Sequence, residues 1–113
     1  MDKSEALRII ANLSRPEFFE IRLHALQIGN LAFIGIPGEP FTSIGREIIQ
    51  KSKMDMTLVT ACTNGCEGYY PDRAAFDEAG YESKVSPFAS NCGEILVNGS
   101  LDMINNMNII NKE

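Results

Sequence analysis

Leu31 to Thr42, reading LAFIGIPGEPFT, constrains this chain more than any other stretch. Leu31 to Ile36 is an apolar run too short for a helix, and Pro37-Gly38 breaks it. A run apolar on both faces predicts a central strand covered on two sides. Glu39 follows at once, and Pro40 stands at the expected first position of a helix. A strand that delivers a carboxylate to its own C-terminal end, beside a helix N-terminus, is where α/β proteins build sites.

The flanking patterns extend this into a small α/β unit. Upstream, Phe19 to Ile28 alternates as a strand, with Ile21, Leu23 and Ala25 on one face and Glu20, Arg22 and His24 on the other. Gly29-Asn30 suits a two-residue type II′ hairpin turn. Downstream, Phe41, Ile44, Gly45, Ile48 and Ile49 have helical spacing, which predicts a helix over 40–52. Gly45 would let that helix approach the sheet closely, and Lys51 and Lys53 suit its C-terminal dipole. A second strand is expected over Met56 to Cys62, then a loop from Thr63 to Asp72. Asp72 can cap a short helix over Arg73 to Glu78 that Gly80 ends. Ser86-Pro87 opens the last expected helix, with Phe88, Cys92, Ile95, Leu96, Gly99 and Met103 as its buried stripe. The tail beyond Asn105 is polar and expected to fray.

At the N-terminus, Asp2 and Glu5 have capping-box spacing and Leu7, Ile10 and Leu13 share a side, so residues 2–13 read as an amphipathic helix. Arg15-Pro16 ends it. The organisation expected is a helical extension, 1–15, and a single α/β domain, 16–113. Its sheet is small and mixed, a hairpin plus a parallel crossover strand, packed by helices.

Composition narrows the partners. A net charge of −5 and a pI near 4.8 argue against nucleic acid and anionic membrane surfaces. No apolar run approaches the roughly 20 residues that span a bilayer. The first residues lack the zones of a signal peptide, so a cytoplasmic location is expected. Of the three cysteines, Cys62 and Cys66 are spaced C-x₃-C with no second pair, and Cys92 falls on an apolar helical stripe. All three therefore read as free thiols rather than a zinc or redox centre. The sequons at Asn12 and Asn98 carry little without a secretion signal.

If strands 31–36 and 56–62 are parallel, their C-terminal ends share one sheet edge. The loop bearing Glu39 would then face the loop bearing Asn64, Glu67, Tyr69 and Tyr70. On residue type alone, Glu39 reads first as a solvated acid after a turn, and Tyr69, Tyr70 and Tyr81 as packed phenols, the commoner fate of a half-buried tyrosine.

Three pieces in order carry a resemblance. They are Gly35-Ile36-Pro37-Gly38-Glu39-Pro40-Phe41, Asn64-Gly65-Cys66-Glu67-Gly68-Tyr69-Tyr70-Pro71, and Gly80-Tyr81-Glu82. With the preceding EIRLHALQIGNLAF, the chain from Pro16 to Met107 resembles the C-terminal part of the catalytic domain of the neutral/alkaline, non-lysosomal ceramidase family. The resemblance implies a zinc amidohydrolase that cleaves ceramide into sphingosine and fatty acid, and hence a lipid amide substrate. In that family two histidines, a glutamate and a tyrosine hold Zn²⁺. The glutamate carries over onto Glu39 and the tyrosine onto Tyr69, with Tyr70 the alternative. A second tyrosine, placed to assist at the reacting carbonyl, matches Tyr81.

The match is partial. His24 is the single histidine and matches neither ligand, and the family's serine and arginine around the scissile amide have no counterpart. The expectation is therefore half of a zinc site, inactive alone, with Zn²⁺ not held by this chain. Its partner would be a missing N-terminal half or further copies of the chain covering exposed apolar strands. The alternative is a self-associating, non-catalytic interaction domain.

Overall fold

The computed structural model describes residues 20–110. The helix expected over 2–13, and with it the extension 1–15, lies outside the described residues. In chain order the elements are β1 (His24–Ile28), β2 (Leu31–Gly35), β3 (Glu39–Pro40), α1 (Thr42–Lys51) and β4 (Met56–Thr60). They continue as β5 (Tyr69–Tyr70), α2 (Arg73–Glu78), α3 (Tyr81–Val85) and α4 (Cys92–Asn105).

β1 and β2 form an antiparallel hairpin that closes with Ile28 opposite Leu31. Gly29 takes φ +58° while Asn30 does not enter the positive region, as a type II′ turn requires and a type I′ turn does not. β4 pairs with β2 in parallel, Leu31 opposite Met56 and Gly35 opposite Thr60, so β2 is central in the order β1–β2–β4. The fold is α/β with a small mixed sheet, a hairpin plus a parallel strand reached across α1.

One face of this sheet is the core. Ala32 and Ile34 project from it and are fully buried, in one cluster with Ile44 and Ile48 of α1 and Leu96, Val97 and Ile104 of α4. Burying each of the Ile, Leu and Val side chains among these contributes about 1.5–3 kcal/mol. The register places Leu26, Phe33 and Leu58 in one row of the opposite face, and Ile28, Leu31 and Met56 in the next. The four on the flanking strands remain 42–58% exposed. The expected cover on two sides is thus corrected. Among the described residues, both layers of packing helix lie on the Ala32–Ile34 side.

Several boundaries also differ. The first strand begins at His24 rather than Phe19, although Ile21 and Leu23 still pack on the core from the segment before it. Helix α1 begins at Thr42 because Pro40 is used in β3 and Phe41 becomes the N-cap. Gly45 provides no close approach, since a Cβ there would meet Val59 at an ordinary 3.8 Å. Lys53 donates not to its own helix but to the Asn105 and Met107 carbonyls at the end of α4, at 3.1 and 2.6 Å. Asp72 caps α2 through the Ala75 amide at 2.9 Å, as its spacing predicts, but Ala79 in the left-handed region ends that helix, and Gly80 opens α3.

The last helix departs most. It starts at Cys92, and its buried side is Cys92, Gly93, Leu96, Val97, Ser100 and Ile104, leaving Ile95 61% exposed. Residues 86–91 do not join it because they are committed to β5. Ser86 Oγ donates to the Tyr69 carbonyl at 2.8 Å, and the Phe88 ring stacks on Tyr70. Small residues then set the helix phase. A Cβ on Gly93 would sit 3.2 Å from Ile44 Cδ1, so glycine is what lets α4 approach α1 this closely. The tail is docked rather than frayed as far as Ile110. Asn30 exchanges two hydrogen bonds with Ile110, at 2.6 and 2.7 Å, and Gln27 donates to the Asn108 carbonyl at 2.7 Å.

Candidate functional site

The site is a knot of three chain segments at the C-terminal ends of β2 and β4. Ile36, Pro37 and Gly38 are buried after β2, and the loop after β4 wraps their backbone. Cys62 N donates to Gly38 O at 2.8 Å, Thr63 N to Ile36 O at 3.0 Å and Glu67 N to Pro37 O at 2.9 Å. The buried carbonyls of the turn are thereby satisfied by amides of a neighbouring loop, as buried backbone requires.

The chain then runs beside β5. Glu39 N donates to Gly68 O at 2.9 Å and Phe41 N to Tyr70 O at 3.0 Å. A parallel ladder uses every second amide, and the residue skipped here is Pro40, which has none. This is why a Glu-Pro-Phe sequence fits the bridge, and why the helix waits until Thr42. The register sets Glu39 directly beside Tyr69 and Pro40 beside Tyr70.

Side chains alternate along a strand, so Tyr69 shares the face of Glu39 and Tyr70 points the other way. Tyr70 is almost fully buried. Its ring stacks on Phe88 at 4.4 Å and 9°, and its hydroxyl donates to the Pro37 carbonyl at 3.1 Å. Burial first, and the Glu67 carboxylate second, push that phenol well above its ordinary value. The hydroxyl of Tyr70 is therefore a structural group of the turn, and Tyr69 is the phenol on the carboxylate's side.

Tyr81 opens α3 and is more than half exposed. Its ring meets that of Tyr69 edge to face, with centroids 6.3 Å apart and planes at 71°. Glu39 of β3 and Tyr69 of β5 are thus register neighbours, and Tyr81 of α3 is in ring contact with Tyr69. His24 is exposed at the start of β1, opposite Gly35.

Two features of the surroundings were not legible in the sequence. Immediately beyond Pro40 an open cleft of about 390 Å³ runs between α1 and β4, lined by Phe41, Gly45, Ile49, Val59 and Ala61 with Arg46 as its cation. Helical spacing had marked Ile49 for the core, whereas it stands at the cleft, 48% exposed. The second feature is a pair of thiols. Cys62 and Cys66 are both exposed, with Sγ atoms 3.2 Å apart. C-x₃-C spacing says nothing of contact, because the loop between them reverses through left-handed residues Cys62 (φ 49°) and Asn64 (φ 56°).

A catalytic zinc centre takes three protein ligands and keeps one position open. Here the donor set is one exposed carboxylate and one phenol, and among the described residues no group of three or more His, Cys, Asp or Glu side chains could hold a metal ion. These residues do not make a complete centre. No described helix is long and apolar enough to cross a membrane. The chain matches no protein-family model, no curated protein and no solved structure.

Proposed function

We propose that this chain supplies the carboxylate–phenol half of a ceramidase-like zinc amidohydrolase site and is inactive alone. The observation that supports the reading is the parallel pairing of β3 with β5, which sets Glu39 beside Tyr69, with Tyr81 in contact with Tyr69. In this reading Glu39 and Tyr69 are ligand positions, and Tyr81 stands where a phenol can donate to a carbonyl oxygen. The metal is held only when a second polypeptide segment brings imidazole ligands to the same edge. The apolar cleft beginning at Pro40 is of a kind that takes a lipid tail, in keeping with a lipid amide substrate.

Calorimetric titration with Zn²⁺ tests this. The expected result is no stoichiometric binding by the chain alone, and binding lost in Glu39→Gln when a histidine-bearing N-terminal segment of a ceramidase-like protein is added. Absence of binding with that segment present rejects the proposal.

A second reading is favoured by the open sheet face, six apolar side chains in two rows. In that reading the chain is a non-catalytic domain whose partner is a second copy of itself, meeting face to face across those rows.

A further inference from the structure

The Cys62–Cys66 pair has no part in either reading above, and its geometry is specific. We propose that Cys62 and Cys66 form a reversible dithiol–disulfide site that exchanges with low-molecular-weight disulfides. The two sulfurs lie 3.2 Å apart, both exposed, so a bond at about 2.05 Å needs little over 1 Å of approach. The loop that brings the thiols together is fastened at both ends. Cys62 N is bonded to Gly38 O and Glu67 N, next to Cys66, to Pro37 O. Between them Thr63 is bonded through its amide to Ile36 O and through its hydroxyl to Thr60 Oγ1 at 2.8 Å. Cys62 and Asn64 are held in the left-handed region, which a residue with a Cβ enters only at a steric cost. The fold maintains this strained reversal, and the outcome of the reversal is the sulfur–sulfur contact.

Both sulfurs are exposed at one contact, so exchange can open from either thiolate. The thiolate attacks a small disulfide RSSR, displaces one RS⁻ and leaves a mixed disulfide on that cysteine. The other cysteine then gives its proton to the departing thiolate or to water and attacks the protein-bound sulfur of the mixed disulfide, and the second RS⁻ leaves and takes up a proton. In sum, two cysteine thiols are oxidised to one disulfide and RSSR is reduced to two RSH.

The ring so formed spans only Cys62 to Cys66. Closing so short a loop removes little entropy from the unfolded chain, and an exposed disulfide is readily attacked. The bond is thus reducible, a site of exchange rather than a structural staple. Cys92 cannot compete, being buried, with its thiol donating to the Pro71 carbonyl at 3.5 Å.

The test uses the full chain in mixtures of oxidised and reduced glutathione, quenched with an alkylating reagent and read by intact mass and peptide mapping. The expected product has lost two hydrogens, carries one Cys62–Cys66 bridge, keeps Cys92 alkylatable and reverts with reduced glutathione. Persistent glutathione adducts without a bridge, no oxidation at all, or a bridge seen only after denaturation would each overturn the proposal. Cys62→Ser and Cys66→Ser should each stop at a persistent glutathione adduct on the remaining exposed cysteine, with no bridge formed. A bridge to Cys92 in either variant overturns the pairing.

Discussion

Tyr70 shows how little of a residue's role lies in its own type. It reads from the sequence as one of two adjacent candidates for the same phenol. In the fold its hydroxyl holds the Pro37 carbonyl, and Gly38 lies under its ring. A Cβ on Gly38 would fall against Tyr70 Cε2 and 2.6 Å from the Gly68 carbonyl, the acceptor of the Glu39 amide. Gly38→Ala is therefore expected to destabilise the protein by about 1–3 kcal/mol, as forced overpacking does, with the β3–β5 pairing lost first. Chemical denaturation gives the first number. A change below about 0.5 kcal/mol would mean the turn is looser than described. Cys92 makes a second prediction at this scale. Burial pushes its thiol from 9.0 up to about 11. A folded pKa above the unfolded one gives stability that is complete below pH 9 and lost as pH rises through 11. Tyr70, raised from 10.0, adds a loss on the same alkaline side. The melting temperature under reducing conditions should fall steadily from pH 9 to 11, and less steeply in Cys92→Ala. Equal native reactivity of Cys92 and Cys66 toward a thiol reagent would contradict the burial on which this rests.

At the scale of elements, local signals did well where one piece of chain decides its own conformation. Gly29-Asn30 makes the hairpin, Asp72 caps α2, and the run from Leu31 ends where Pro37-Gly38 says it must. They failed where a distant partner decides. Pro40 is a good first residue for a helix, but the carbonyls of Gly68 and Tyr70 claim the amides on either side of it. Phe88 has the spacing of a helical stripe, but Tyr70 claims its ring. Helix α3 was missed, since its five residues show no periodicity to read. The candidate site divides the same way. Glu39 and the Tyr69 loop were legible as two strand ends meeting at one edge, whereas the thiol contact depends on backbone angles that no spacing encodes. The helix pair α1–α4 bears the core, and Ile48 is fully buried between it and the sheet. Ile48→Ala should cost about 2–5 kcal/mol by calorimetry. Ile49→Ala, one position on and at the open cleft, should stay within about 1 kcal/mol, and a reversed ranking would misplace the core.

Among the described residues, the sheet of the whole molecule has helices packed on one face and none on the other. Leu26, Ile28, Met56 and Leu58 are exposed on strands that flank the central Leu31 and Phe33. Such a surface favours association in water. If the partner is a second copy, light scattering should show concentration-dependent dimers that Leu26→Lys with Leu58→Lys abolishes while the monomer keeps its fold. A wild-type monomer at high concentration would sink the self-association reading and leave the half-site reading intact.

The pairing of Glu39 with Tyr69 also has a kinetic side. Both strands of that bridge are only two residues long, and neither has a local reason to exist before the other arrives. The long-range closure of β4 on β2 must come first, since it brings the Gly68 carbonyl to the Glu39 amide. The acid and its neighbouring phenol are thus expected to come together only once that closure is made, and to part when it opens.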